Sequence, residues 1–351
     1  ASRLARAFLA VLVPSMACWR VVVLAVVASA YKMARRPVHA MTARDAAADA
    51  AGTLLVSARE LRGAVSQALR KRLPERNDAE VLSTAEKLVA DVEYQVCQGA
   101  SVDAFADALA LHHAMETCED ASLAGLLTES LRILTDAYRL FGLDGVFTSF
   151  NGGKDAVVIM QLSRAVFAKA CVQAGRIERA RMIFFELQDE FEEVEDFVRD
   201  SHKTCDLELR RYSTGFVAGL TSCIEEEEGR LLAFVLGTRR GDPNCGKQGT
   251  FEPSSDWMPP FMRVNPVLDW EYGDIWRFIR LFQIPYVNLY DKGYTSLGKK
   301  SDTQPNPALK KPGTADEYLP ADMLSDWSLE RAGRIKKAPK PIIEPEQCDA
   351  T

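Results

Sequence analysis

Histidine and closely paired cysteine are what this 351-residue chain has least of. It holds four histidines, and its eight cysteines, at 18, 97, 118, 171, 205, 223, 245 and 348, never stand at CxxC spacing. A structural zinc site takes clustered Cys and His ligands, and a disulfide-built fold packs many cysteines into a short chain. Neither is suggested, so a reducing compartment is expected. Acidic residues are missing from the first 44 positions, which carry seven basic ones: Arg3, Arg6, Arg20, Lys32, Arg35, Arg36 and Arg44. The remainder then has 36 basic against 49 acidic side chains, a net of −13 within an overall −6. So acidic a body has no general attraction for a phosphate backbone, and nucleic acid is not expected as a partner. An anionic small ligand would need a local cluster of basic groups and backbone N–H donors.

Hydrophobic residues make up 47% of the chain, enough for a full core. Residues 1–44 do not resemble the rest. Apolar stretches at 8–13 and 21–30 are separated by Pro14, Ser15 and Arg20, which weaken any membrane-spanning reading. Basic, alanine-rich and free of acid, the segment fits an organelle targeting sequence or sequence upstream of the native start at Met33 or Met41. Cytoplasm is the expected location, with the mitochondrion as the alternative if the segment is a genuine presequence.

From 45 to 130 apolar residues recur at three- and four-residue spacing, as in Leu54, Leu55, Ala58, Leu61 and Val65, which predicts a helical extension. His112 and His113 on it read as packing or surface residues. The pattern then changes. Runs at 146–150, 182–187 and 231–236 have the length and apolar content of buried strands, and 154–174 reads as a long helix. Strands alternating with helices predict an α/β fold, with a mostly parallel sheet covered by helices on both faces. Beyond 237 the chain is rich in Pro, Gly, Trp and Tyr, with one clear helix near 270–282. So much irregular chain usually marks a functional loop region. The acidic runs at 186–196 and 225–228 read as solvated charge, the second as an exposed loop.

The strongest local signal is Ser149-Phe150-Asn151-Gly152-Gly153-Lys154-Asp155, between a predicted strand and a predicted helix. Two glycines let the backbone turn tightly and point N–H groups at one place, where the following helix also directs its positive end. Phosphate oxygens suit such a place, with Lys154 adding charge and Asn151 a side-chain amide. Neither Walker spacing nor G-x-G-x-x-G is present in this loop. From these residues alone, an ordinary strand-to-helix turn remains open.

This loop resembles the S-G-G-x-D-S phosphate loop of the PAPS reductase-like, ATP pyrophosphatase superfamily, and its F-N-G-G-K-D form is similar to that of the eukaryotic FAD synthases (FMN adenylyltransferases). Further stretches follow in that family's order: Gly237-Thr238-Arg239-Arg240-Gly241-Asp242-Pro243, Arg263-Val264-Asn265-Pro266 with Asp269-Trp270, Tyr294-Thr295-Ser296-Leu297-Gly298, Thr303-Gln304-Pro305-Asn306, and Arg331-Ala332-Gly333-Arg334. The resemblance implies a FMN adenylyltransferase domain at 131–337, after the segments 1–44 and 45–130 and before a tail at 338–351. It implies transfer of AMP from ATP to FMN, giving FAD and pyrophosphate, with Mg²⁺ as cofactor.

The site residues it implies are Asn151, Asp155, Arg331 and Arg334 for catalysis, and Gly152, Gly153, Lys154, Arg240, Asp242 and Arg263 for binding. Asn151, Gly152, Gly153 and Lys154 are assigned to the triphosphate, Asp155 to orienting the loop or reaching the metal through water. Asp242, with Arg240, is assigned to the flavin. Arg331 and Arg334, three apart, would share a face of one helical turn and grip one phosphate. Arg263 would serve a phosphate or brace its loop. No metal ligand is assigned. Partners are the two substrates and apo-flavoproteins that receive FAD; a monomer is expected and a membrane is not. The alternatives are a PAPS reductase-like sulfonucleotide enzyme or a non-catalytic flavin or nucleotide carrier. Cys348 lacks the reductase's E-C-G-L-H context, since Gln347 precedes it.

Overall fold

A computed structural model describes residues 54–335 apart from Leu187 and Asn244. The expectations for 1–44 and for the tail, with Cys18 and Cys348, therefore lie outside the described residues. The described chain enters through β1 (Leu54–Ser57), α1 (Ala58–Arg72), α2 (Asp78–Leu88), β2 (Glu93–Val96), α3 (Val102–Glu116) and α4 (Ala124–Phe141). Ser57 and Asn77 open α1 and α2 with capping boxes closed by Glu60 and Glu80. Each box satisfies two N–H groups that a helix start leaves unpaired.

The helical reading of 45–130 misses β1 and β2. Leu54 and Leu55 fit helical spacing with Leu61, yet both are exposed on a strand that pairs antiparallel with β2. In turn β2 pairs parallel with β4 (Arg176–Ile177), far along the chain. Charged groups tie the same region to the main helix. Asp107 of α3 accepts from Arg72 of α1 at 2.7 Å and from Arg164 at 2.6 Å.

After α4 come β3 (Val146–Ser149), α5 (Lys154–Gln173), β4, β5 (Arg181–Phe185), α6 (Glu192–Thr204) and β6 (Glu208–Tyr212). Then follow α7 (Phe216–Glu226), β7 (Ala233–Val235), β8 (Phe251–Pro253), β9 (Met262–Val264) and α8 (Tyr272–Leu281). The main sheet has the order β6-β5-β3-β7-β9-β8, parallel except for β8. As expected of strands buried on both faces, Val146, Phe147 and all of β7 are apolar and inaccessible.

Sequence periodicity gives no hint of β6, whose five residues include Glu208, Arg210 and Arg211. Its charge is absorbed locally. The Arg181 and Arg210 guanidiniums lie 4.3 and 4.9 Å from the Phe147 ring centre, and both bind Glu227, at 2.5 and 2.6 Å. Glu227 is thus drawn into the structure just past α7, against the expectation of an exposed acidic loop at 225–228. The acids at 192–195 instead occupy the first turn of α6, where a helix favours negative charge.

Topology places the site. The chain leaves β3 through α5 to β5 and β6 on one flank, then returns through α7 to β7 on the other flank of β3. Where connections diverge in this way, a crevice opens beyond the carboxyl ends of the strands, and ligands of α/β proteins bind there. The glycine loop at 151–153 leaves β3 at that point, and 237–242 leaves β7.

Candidate active site

Gly152 has φ 75°, and a Cβ on it would meet Val194 Cγ1 at 3.1 Å and Val198 Cγ2 at 3.3 Å. Both conformation and the close approach of α6 require glycine there. Asn151 folds its own side chain over the loop, its Oδ1 accepting from the Gly153 N–H at 3.0 Å. The Lys154 N–H donates to the Tyr290 hydroxyl at 2.8 Å. Among the described residues, the N–H groups of Gly152 and Ala156 meet no acceptor. Two donors at the positive end of a 20-residue helix are therefore available to an anion.

Below the loop lies a closed ring of four charges. Lys154 Nζ binds Asp155 Oδ2 at 3.0 Å and Glu330 Oε1 at 2.5 Å. Arg239 Nε lies 2.8 Å from Asp155 Oδ1, while its Nη2 donates to Glu330 Oε1 and Oε2 at 2.6 and 2.8 Å. Burial by itself disfavours the charge on Lys154, but Asp155 and Glu330 outweigh it and hold the ammonium above its usual pKa. Burial likewise works against the Asp155 carboxylate, and Lys154 with Arg239 reverses this, leaving it below the carboxylate range. Lys154 and Asp155 thus stay ionised side by side.

The ring bears on two assignments. Lys154, expected on the triphosphate, is 2% exposed with both its carboxylates in place, so it braces the loop from beneath. Asp155 is not simply a capping residue of its helix. It faces Lys154 and Arg239 instead, which fits orienting the loop better than reaching a metal.

A third difference concerns the two neighbouring arginines. Arg239 turns inward, whereas Arg240 is exposed and pairs with Asp269. Asp242, assigned to the flavin, accepts from the Arg239 N–H through Oδ2 at 2.9 Å, closing the turn after β7. Arg263 donates to the Pro253 carbonyl at 2.6 Å and to Ser255 Oγ at 3.0 Å, so of its two expected roles it fills the bracing one.

Arg331 and Arg334 do not share a helix. A 3-10 turn at Trp327–Leu329 precedes them, the Arg334 N–H donates to the Arg331 carbonyl at 3.0 Å, and Arg334 then bridges to Thr303. The Arg334 guanidinium lies flat over Gly298, where a Cβ would come within 2.0 Å of Nη2. Burial, then the nearby charge of Arg331, holds the Arg334 pKa below its usual value. Among the described residues neither arginine forms a salt bridge, while the Asp302 carboxylate lies near enough to Arg334 to favour its charge. They stand close enough to repel.

Residues that the sequence did not single out hold this strap in place. Asn306, fully buried, donates from Nδ2 to Thr295 Oγ1 and to the Leu329 carbonyl, each at 2.8 Å. Thr295 Oγ1 donates to the Glu330 carbonyl at 2.6 Å, and the Gln304 N–H to that of Gly333 at 2.9 Å. Tyr290, Thr295 and Asn306 lie within or beside the quoted family stretches, which was their only signal. Glu330 had none beyond standing next to Arg331.

The described residues contain no group of three or more His, Cys, Asp or Glu able to hold a metal ion. Both carboxylates at the loop are already taken up by cations, so the donor set does not fit a protein-held Mg²⁺.

Comparison with known proteins agrees with this architecture. The phosphoadenosine phosphosulfate reductase domain family matches residues 145–218 and 217–305. The chain is 37% identical over 220 residues to a probable FAD synthase of Schizosaccharomyces pombe, covering 62% of this chain and 82% of that protein. It is 32% identical over 212 residues to a probable FAD synthase of Caenorhabditis briggsae, spanning only 40% of that longer protein. The fold matches the crystal structure of Candida glabrata FMN adenylyltransferase in complex with FAD and inorganic pyrophosphate, at a TM-score of 0.60 and 22% identity, over 67% of this chain and 97% of that one. Sheet order, switch point and glycine loop therefore define an α/β nucleotide-binding domain of the PAPS reductase-like kind. Within that class, the chain belongs to the FAD synthase family.

Proposed function

We infer that this protein is an FMN adenylyltransferase, joining the AMP part of ATP to the phosphate of FMN. A phosphate oxygen of FMN attacks the α-phosphorus of ATP; the bond to the β-bridging oxygen breaks, and pyrophosphate leaves with that electron pair. Both reactants are polyanions, so the work is to hold them in line and to offset charge as it develops.

The observation that carries this reading is the pair Arg331 and Arg334. Among the described residues neither makes a salt bridge, although Asp302 lies near enough to favour the Arg334 charge, and Glu330 beside them is bound to Lys154 of the glycine loop. Arginine forks meet phosphate oxygens in two parallel bonds. The free N–H groups of Gly152 and Ala156, with the Asn151 side chain, would take the nucleotide's phosphates. Asp242 Oδ1 would accept from a flavin ring N–H while Oδ2 keeps the turn closed.

Magnesium dependence remains a proposal, supported by triphosphate chemistry rather than by a cage in this chain. Apo-flavoproteins would receive the product, and the protein would act as a monomer in the cytoplasm. No helix among the described residues is long and apolar enough to cross a membrane.

Incubating the purified protein with FMN, ATP and Mg²⁺ and separating the products tests the reading. FAD and pyrophosphate should appear in equal amounts. If neither forms while FMN or ATP still binds, the carrier alternative is correct.

A further inference from the structure

Three separate segments meet in the charge ring: Lys154 and Asp155 from the head of α5, Arg239 from the turn after β7, and Glu330 from the C-terminal strap. We propose that Glu330 is a positioning residue for adenylyl transfer, pinning the strap to the glycine loop so that Arg331 and Arg334 are held facing the reacting phosphates. The proposal deepens the FMN adenylyltransferase reading and rests on it.

Four observations converge. First, the Glu330 carboxylate serves two cations at once, both nearly inaccessible, with Lys154 2% and Arg239 5% exposed. No water could replace it as a counter-charge without leaving a buried cation short of a partner. Second, its backbone is fixed as firmly as its side chain. The Glu330 carbonyl accepts from Thr295 Oγ1 at 2.6 Å, and that of Leu329 from Asn306 Nδ2 at 2.8 Å. Third, Arg331 follows immediately and its carbonyl receives the Arg334 N–H at 3.0 Å, so a shift at Glu330 is passed to both guanidiniums. Fourth, Arg331 and Arg334 repel each other, and Glu330 adds a charged anchor before the pair to the backbone contacts that Thr303 and Gln304 make at and beside Arg334.

The ring also reaches the other substrate's segment. Arg239 gives its backbone N–H to Asp242 and its side chain to Asp155 and Glu330. Glu330 is thereby connected to the segment assigned to the flavin as well as to the loop assigned to ATP. It touches neither substrate in this scheme, and it acts through the cations it holds.

The test compares wild-type protein with Glu330→Gln and Glu330→Asp. Thermal melting establishes folding, and FAD synthesis is followed over a range of pH. Glu330→Gln keeps the shape but removes the charge. It should lower kcat by at least about tenfold while changing the KM for FMN by less than about threefold. It should also create an alkaline limb absent from the wild type. Lys154, left with Asp155 alone in a buried place, gives up its proton at lower pH. Glu330→Asp retains the charge one methylene further back and should recover part of kcat and remove the limb. A merely structural role would lower the melting temperature without moving the pH profile.

Wild-type kcat and an unchanged pH profile in a folded Glu330→Gln protein overturn the proposal. If that variant does not fold, Glu330→Asp decides, and an unchanged kcat in it has the same consequence. If the wild-type protein makes no FAD, the functional reading falls first. Calorimetry with inorganic pyrophosphate then judges the positioning role, where Glu330→Gln should weaken binding at least about tenfold and equal binding overturns it.

Discussion

Arg239 grips both carboxylate oxygens of Glu330, at 2.6 and 2.8 Å, across 91 residues of sequence. Its immediate neighbour, Arg240, points outward to an exposed Asp269. Two adjacent residues of one type therefore carry quite different loads. Arg239→Lys keeps the charge but loses the fork, and it should reduce kcat/KM for FAD formation at least about tenfold more than Arg240→Lys does. Parallel steady-state assays of the two variants check this, and equal losses would return both arginines to the surface.

Asp242 has two jobs that substitution can separate. Asp242→Asn keeps an oxygen for the Arg239 N–H, so the turn should survive while the charged acceptor for the flavin is lost. The KM for FMN should rise about tenfold, equivalent to roughly 1.4 kcal/mol, with the KM for ATP nearly constant. Asp242→Ala also opens the turn and should lower kcat in addition. Titration with FMN followed by flavin fluorescence gives the affinity independently of turnover.

For the C-terminal pair, Arg331→Lys and Arg334→Lys should each cut kcat/KM although both preserve charge. If they serve one phosphate, the double variant should lose less than the sum of the two free energies. Truncation after Leu329, an apparently simple test of the pair, would also remove Glu330 and strand Lys154 and Arg239. Point substitution is therefore the cleaner experiment.

Acid sensitivity should come from His112. Burial depresses its pKa from 6.5 to about 4, only partly opposed by Glu116 at 3.7 Å, while Lys169 and His113 push the same way as burial. The folded protein holds the neutral ring, whereas the unfolded chain takes up a proton below pH 6.5. Stability from this group is complete above that pH and declines as pH falls towards 4, by up to about 3 kcal/mol. Melting temperature measured between pH 7 and 4 should show the decline, and His112→Gln should make it shallower, with His113, whose pKa burial also depresses, keeping part of it. Parallel curves would remove the histidine from the account.

The central sheet was legible because its inner strands are buried on both faces, and Val146 or Phe234 has little alternative to apolar company. The glycine loop was legible because a phosphate turn needs residues that few other structures need. β6 was not, since arginines that stack on Phe147 look solvated in a one-dimensional reading. Nor was β1, whose exposed leucines copy helical spacing over four residues. At the site, residue types and their order were readable, but which charge faces inward was not. That choice is made by the ring, which assembles only when residues 154, 239 and 330 meet. Lys154 consequently faces inward rather than towards a phosphate, and Arg239 rather than Arg240 takes the interior place beside it.

The separation of 176 residues between Lys154 and its partner Glu330 has a consequence for the life of the chain. During synthesis the sheet, the glycine loop and the turn after β7 all emerge before the strap does. Until Glu330 leaves the ribosome, two cations destined for the interior lack one of their counter-ions, and the arginine pair does not yet exist. A cut between α8 and Arg334 that let the strap detach would return a finished molecule to that condition. Catalytic competence would then begin only with the last of these segments and end with a cut that frees it, making the site a sensor of its own chain's integrity.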